Sequence, residues 1–294
     1  MNDSNPRTPP ERLFPAAREE AETAKQQTSS AQTEHPAYRL AFQDMDFLLR
    51  EDLRPVRFQL ELLKPELMLD AAGIASTFPM YGSARIPEPS KAEALLAAAA
   101  TDQQRIVAER LKAKSKYYDE ARKLARLASR VPLDADGKRH FVVCSGGGPS
   151  IMEAANRGAC DEGAESIGLN IVLPHEQLPN PYVTPSLSFQ FHYFALRKMH
   201  FLLRARAVAV FPGGFGTFDE AFELLTLIQT GKVKPIPILF FGREFWERVV
   251  DFGALVEEGV VSPDDLNLFC YCETAEEAWE QILGHYNGGE GAGR

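Results

Sequence analysis

Glu220 closes the segment Pro212-Gly213-Gly214-Phe215-Gly216-Thr217-Phe218-Asp219-Glu220. An apolar run, Ala207-Val208-Ala209-Val210-Phe211, precedes it and reads as a buried parallel strand. Ala221 to Ile228 follows and reads as a helix with an apolar stripe. The glycines therefore sit in a strand-to-helix turn, where the backbone can approach a ligand closely. The unpaired N–H groups of the first helical turn, around Gly213, Gly214, Gly216 and Thr217, lie at the positive end of a helix dipole. That arrangement suits a phosphate, and an acid at its edge could act on whatever carries the phosphate. A second reading of the same spacing stays open: Thr217-x-x-Glu220 is also a capping box. The turn is neither G-x-G-x-x-G nor a P-loop.

Two further junctions of the same kind point to the elements that must position this turn. His140 to Cys144 reads as a strand, Ser145-Gly146-Gly147-Gly148-Pro149 as a turn and Ser150 to Ala159 as a helix. Phe78-Pro79-Met80-Tyr81-Gly82-Ser83-Ala84-Arg85 is a third strand-to-loop junction. Three such loops fit an open parallel sheet whose ligand site lies at the carboxyl ends of its strands. The predicted fold is α/β, a Rossmann-like doubly wound, mainly parallel sheet with helices on both faces and an N-terminal helical extension.

At these residues the chain resembles the LONELY GUY (LOG) family of phosphoribohydrolases. Pro212-Gly213-Gly214-x-Gly216-Thr217-x-x-Glu220 is similar to the family signature, Arg197-Lys198 to its Arg-Lys element, and Gly146-Gly147-Gly148 with Ile151-Met152 to its second glycine motif. The resemblance covers roughly residues 76–286. It implies cleavage of the N-glycosidic bond of a nucleoside 5′-monophosphate, AMP or a cytokinin nucleotide, to free base and ribose 5-phosphate. It implies Glu220 as the acid beside the anomeric carbon and Arg197 as the group that orients acid and substrate. Lys198, Gly147 and Gly148 join the phosphate and substrate contacts, and Ser83 with Arg85 closes the phosphate site from the first loop. Glu176 resembles a ribose- or base-contacting acid, and Thr226 resembles a threonine near the substrate or is a helix-interior threonine. Glu153 touches ribose hydroxyls or favours its helix N-terminus, and it stands where short members often have Gly. Relatives often carry the label lysine decarboxylase, but Lys198 and Lys232 read as surface or phosphate-facing groups rather than a Schiff-base lysine. A non-catalytic module that holds a phosphorylated ligand is the alternative. A dinucleotide-dependent oxidoreductase is weakened by the missing fingerprint.

Composition narrows the class. The chain has 294 residues and a net charge of −9, which argues against a general nucleic-acid surface. No apolar run approaches a membrane span and no secretory signal is visible, so a cytoplasmic protein is expected. The six histidines form no H-x-x-H spacing. Cys270-Tyr271-Cys272 is read as alternating faces on a strand, so the cysteine pair is taken as poorly placed to chelate a metal. No metal and no cofactor are expected.

Residues 1–36 are rich in Pro, Gln, Ser, Thr and Glu and read as a mobile tail. Residues 37–72 read as a helical extension broken at Pro55 and Pro65, residues 73–287 as the Rossmann-like domain and 288–294 as a flexible tail. The extension is predicted to pack on the core or to build a subunit interface. Its extra apolar helices predict a homo-oligomer, a dimer or a multiple of dimers.

Overall fold

The computed structural model describes residues 14–174 and 178–287. Its chain divides into two units, Met1–Gln59 and Leu60–Arg294. In the first unit, α1 (Ala17–Ala24) lies in the stretch read as a tail. After it come single 3-10 turns and the short α2 (Met45–Leu48), capped by the Asp44 carboxylate. The Arg57 guanidinium ties this region together by donating to the carbonyls of Leu48 and Arg50.

The helix α3 (Arg54–Ala71) corrects the predicted breaks. Pro55 sits in its first turn, where a missing N–H costs nothing. Pro65 lies inside the helix. Lacking an N–H, it cannot bond the carbonyl of Glu61 four residues back, and that carbonyl instead accepts from His200 Nε2 at 3.1 Å. A proline in a helix is tolerated when the freed acceptor finds another donor, and a donor 139 residues away leaves no local sequence signal.

The second unit is built on seven strands: β1 (Thr77–Tyr81), β2 (Val142–Ser145), β3 (Ile167–Ile171), β4 (Ser188–Phe191), β5 (Val208–Val210), β6 (Ile238–Phe241) and β7 (Cys270–Cys272). They form one sheet in the order β4-β3-β2-β1-β5-β6-β7. Every pair is parallel. Strands β1, β2, β5 and β6 are buried along their whole length, as expected when helices cover both faces. The helices are α4 (Pro89–Ala97), α5 (Asp102–Lys114), α6 (Lys116–Ser129), α7 (Ile151–Asp161), α8 (Phe194–Leu203), α9 (Phe215–Gln229), α10 (Arg243–Val249), α11 (Phe252–Glu257) and α12 (Ala275–Asn287). On one face Phe78, Met80, Val143 and Leu239 pack against Tyr118 and Leu124 of α6, Ala155 of α7 and Ile282 of α12. On the other face Tyr81, Cys144, Val210 and Phe240 pack against Leu69 of α3, Phe201 of α8, Leu224 of α9 and Trp246 of α10. This is the doubly wound α/β sheet that the sequence predicts.

Between β6 and β7 the chain makes two helices, α10 and α11, because Asp251 turns out of the first and caps the second through the Ala254 N–H. One local reading changes. Cys270 and Cys272 do not alternate faces: side chains two apart on a strand point the same way, and both pack against the α6, α7 and α12 side of the core. Among the described residues no group of three or more His, Cys, Asp or Glu side chains could hold a metal ion. Nor is any described helix long and apolar enough to cross a membrane.

The triple-glycine loop hangs on a buried amide network. Asn156 of α7 is fully buried. Its Oδ1 accepts from Ser145 Oγ at 2.7 Å and Asn180 Nδ2 at 2.9 Å, while its Nδ2 donates to Ser166 Oγ and the Ile167 carbonyl. Asn180 in turn holds the carbonyls of Gly147 and Gly148. Replacing Asn156 by Leu strands several buried polar groups at once, each worth about 1–3 kcal/mol. We expect Asn156→Leu to lose at least about 3 kcal/mol in denaturant unfolding, and a loss below 1 kcal/mol would show that the network carries little.

Candidate functional site

The sheet order reverses between β1 and β5, and ligand crevices of open α/β sheets lie at the carboxyl ends of strands flanking such a point. A cavity of about 800 Å³ opens there. The last residue of β1, Tyr81, and the loop after it line the cavity with Gly82, Ser83 and Arg85, the loop after β2 with Gly146, and α7 with Met152. Phe194, Arg197 and Phe201 enter from α8, and the turn and first helical residues from Gly214 to Glu220 enter from α9. Ile171, Leu173 and Val249 complete an apolar wall.

The signature turn does not form a capping box. The N-cap of α9 is Gly214, which has no side chain to cap with, and Thr217 lies inside the first turn. Phe218 is the first residue to donate back into the helix, to the Gly214 carbonyl at 3.1 Å. The N–H groups of Phe215, Gly216 and Thr217 therefore have no carbonyl one turn behind them. The glycines differ in their reasons. A Cβ on Gly213 would fall 2.1 Å from Thr217 Oγ1, so close packing inside the turn demands glycine. A Cβ on Gly214 or Gly216 would meet nothing within 4 Å, so the bare backbone there faces open space. Phe215 between them is 97% exposed.

Glu220 is buried, and its Oε1 accepts from Arg197 Nη2 at 3.0 Å. Burial pushes its carboxyl up to about 7, against the pull of the Arg197 charge. Asp219 adds to the rise and Lys198 opposes it. An ion-paired carboxylate is usually depressed; here the loss of water outweighs one hydrogen bond from the guanidinium. Arg197 is itself sparsely held. Its Nε has no partner among the described residues, and its guanidinium lies 5.6 and 5.4 Å from the rings of Phe194 and Phe201. Tyr81, buried at the cavity wall, is raised well above its ordinary value by burial and then by Glu220.

Of the residues singled out in the sequence, Glu220, Arg197, Gly214, Gly216, Thr217, Ser83 and Arg85 line one cavity. Gly213 lies within the same turn, against Thr217. Lys198 is turned to Asp219 and Glu223, at 2.9 and 3.1 Å. Gly147 and Gly148 stand outside the lining: their carbonyls are taken by Asn180 and the Gly147 N–H by Ser145 Oγ, so Gly146 alone of the three reaches the cavity. Glu153 accepts from Tyr118 Oη at 2.8 Å and is not part of the lining. Thr226 is exposed and donates to the Phe222 carbonyl. Glu176 lies outside the described residues. Sequence reasoning missed the apolar lining. Phe194 stands three residues before Arg197, a spacing that puts both on one helix face. Phe215 was in plain view inside the signature.

A family model described as "Possible lysine decarboxylase" matches residues 152–282. The chain is similar to the probable cytokinin riboside 5′-monophosphate phosphoribohydrolase LOGL3 of Oryza sativa subsp. japonica, 24% identical over 177 residues, 58% of this chain and 77% of that protein. It is also similar to cytokinin riboside 5′-monophosphate phosphoribohydrolase LOG2 of Arabidopsis thaliana, 28% identical over 153 residues, 51% of this chain and 67% of that one. Among solved structures, the X-ray structure of TM1055 covers 70% of this chain and 98% of its own at 19% identity and a TM-score of 0.43. A molybdenum cofactor carrier protein from Chlamydomonas reinhardtii covers 71% and 98% at 15% identity and a TM-score of 0.38.

The raised carboxyl has a measurable consequence. Its folded pKa of about 7 lies above the ordinary 4.5. The stability it contributes is therefore full below about 4.5 and is lost as pH rises through about 7. We expect wild type to lose on the order of 2 kcal/mol more than Glu220→Gln between pH 5 and pH 8. Denaturant titrations at the two pH values check this. Parallel losses would mean that Glu220 is already ionised at pH 5.

Proposed function

We propose that this chain, a relative of the LOG proteins by the matches above, is a hydrolase that cleaves the N-glycosidic bond of a nucleoside 5′-monophosphate. The products are free base and ribose 5-phosphate. The observation that carries the reading is a buried, Arg-paired carboxyl in the same cavity as a bare-backbone helix N-terminus. The substrate phosphate is held by the N–H groups of Phe215, Gly216 and Thr217 at the positive end of α9, with Ser83 and Arg85 facing from the β1 loop. The base lies toward the apolar wall of Phe194, Ile171 and Leu173.

Breaking the bond to the base leaves positive charge on the ribosyl ring. The Glu220 carboxylate stabilises that charge or takes a proton from the attacking water. The ionised form does either job, so the rate rises with pH through the titration of Glu220. Arg197 keeps a share of Glu220 ionised near neutrality and fixes its direction. A binder without turnover needs neither a buried acid nor its arginine, which favours the enzyme over the binding module. Adenine and N6-substituted adenine nucleotides, AMP and cytokinin riboside monophosphates, are the substrates to compare. Lysine decarboxylation fits less well, because Lys198 beside the cavity is already engaged by two carboxylates.

The assembly belongs to the same proposal. Leu60, Leu63 and Leu67 of α3 and Met199 and Leu203 of α8 are left exposed. We read the protein as a cytoplasmic homodimer or a multiple of one. Light scattering that returns the monomer mass of 32.7 kDa would overturn that part.

Incubation with a panel of nucleoside monophosphates, with free base and ribose 5-phosphate quantified, tests the reaction. Glu220→Gln should lower base release about 10²–10⁴-fold while nucleotide still binds. An active Glu220→Gln enzyme would remove the assignment. AMP should exceed adenosine in kcat/KM by roughly 10²-fold or more, since each charge-assisted hydrogen bond to phosphate is worth about 1.5–3 kcal/mol. Equal values for the two would remove the role given to the turn.

A further inference from the structure

The position of Arg197 is set less by its own bonds than by the helix that carries it. Among the described residues its guanidinium has a single hydrogen bond, to Glu220, and its Nε is buried without a partner. Where the guanidinium lies therefore depends on where α8 lies. The second half of α3 grips α8 at both ends. At the N-terminal end, the Glu61 carboxylate accepts from the backbone N–H of His192 at 2.8 Å and of Tyr193 at 3.2 Å. Tyr193 is the N-cap of α8, whose own side chain makes no cap bond. The Glu61 carbonyl, freed by Pro65, accepts from His200 in the last turn of α8. At the C-terminal end, Arg204 donates to Glu66 at 2.9 Å, Asp70 at 2.7 Å and the Ile74 carbonyl at 2.6 Å.

We propose that Glu61 is a positioning residue for the site: by capping α8 from α3, it fixes the register of that helix and so holds Arg197 against Glu220. Three features make it more than a structural cap. It supplies a negative charge at a helix start where α8 has no cap of its own. Arg197 lies one turn beyond that start, within the stretch a cap orders. Its carbonyl and its carboxylate hold two separate points of α8, so losing the side chain leaves the helix attached but free to tilt about the His200 bond. The helical extension then has a task at the site although Glu61 does not touch the cavity. The proposal rests on the phosphoribohydrolase reading for its rate readout alone.

The test uses the full chain with Glu61→Ala and the isosteric Glu61→Gln, and follows the Glu220 carboxyl directly by carbon NMR, with Glu220→Gln assigning the signal. In Glu61→Ala the Arg197 charge draws away from Glu220, so the Glu220 midpoint should move upward from its wild-type value. Base release should fall about tenfold to a hundredfold, mostly in kcat, as expected for a small misplacement of a catalytic group. Glu61→Gln keeps one acceptor oxygen and should recover part of both changes. If Glu61→Ala does not fold, the Glu61→Gln midpoint decides by the same criterion. An unchanged Glu220 midpoint in a folded variant overturns the proposal, whatever happens to rate or melting temperature. If the wild type releases base from no nucleotide, the functional reading fails on its own, and the midpoint still decides the role of Glu61.

Discussion

The site depends on one exchange, the water lost by Glu220 against the guanidinium gained from Arg197. A carboxyl buried without a partner would stay protonated far above neutrality, and one paired in the open would stay ionised far below it. Burial beside a single hydrogen bond from Arg197 leaves the group near 7. Much of the surrounding architecture serves that balance. Phe201 and Phe194 place their rings 5.4 and 5.6 Å from the guanidinium, and Gly146 leaves room for Met152 at the cavity wall, since a Cβ there would lie 2.8 Å from the Met152 sulfur. The acid rides on α9 and the guanidinium on α8, so two helices must keep their distance constant to within a hydrogen bond.

The glycine turns look alike in sequence and divide their labour in space. After β5, the bare backbone of Gly214 and Gly216 faces open space, and the N–H groups at the start of α9 are left for a ligand. After β2, the carbonyls of Gly147 and Gly148 point inward to Asn180, and this loop serves as a floor. Gly147 has a φ of +73 and packs on Asn170, so its glycine answers a backbone requirement. A glycine run after a parallel strand thus marks a tight turn, and the partners of its N–H and C=O groups decide whether the turn is binding surface or scaffold.

The layout of the second unit was legible because burial on both faces writes apolar runs into parallel strands and glycine into the turns that follow them. That Glu220 and Arg197 meet in one cavity was legible through the resemblance to the LOG signature and its Arg-Lys element. What the sequence left hidden is long-range. Nothing local in Glu61 announces that its carboxylate caps a helix more than a hundred residues on, or that Pro65 frees a carbonyl for His200. Pro65 was misread for that reason, since a proline's effect on a helix depends on who accepts the orphaned bond. Lys198 reads from the sequence as a surface or phosphate-facing group, and nothing local to it shows that Asp219 and Glu223 of α9 pair with its charge. Side chains that satisfy one another are the part of a site that spacing alone does not reveal.

The reversal of strand order at the centre of the sheet also bears on how the protein comes to be folded. Met80 of β1 pairs with Ala209 of β5, 129 residues further on. Strands β2, β3 and β4 can assemble beside β1 as they are synthesised, but the cleft stays a half-site until the chain has closed that long loop. Loop closure on this scale is entropically slow, and parallel sheets dominated by such pairings fold late and expose strand edges meanwhile. The ligand crevice is therefore among the last features to form, and any ligand that binds the finished crevice stabilises the step that closes the sheet.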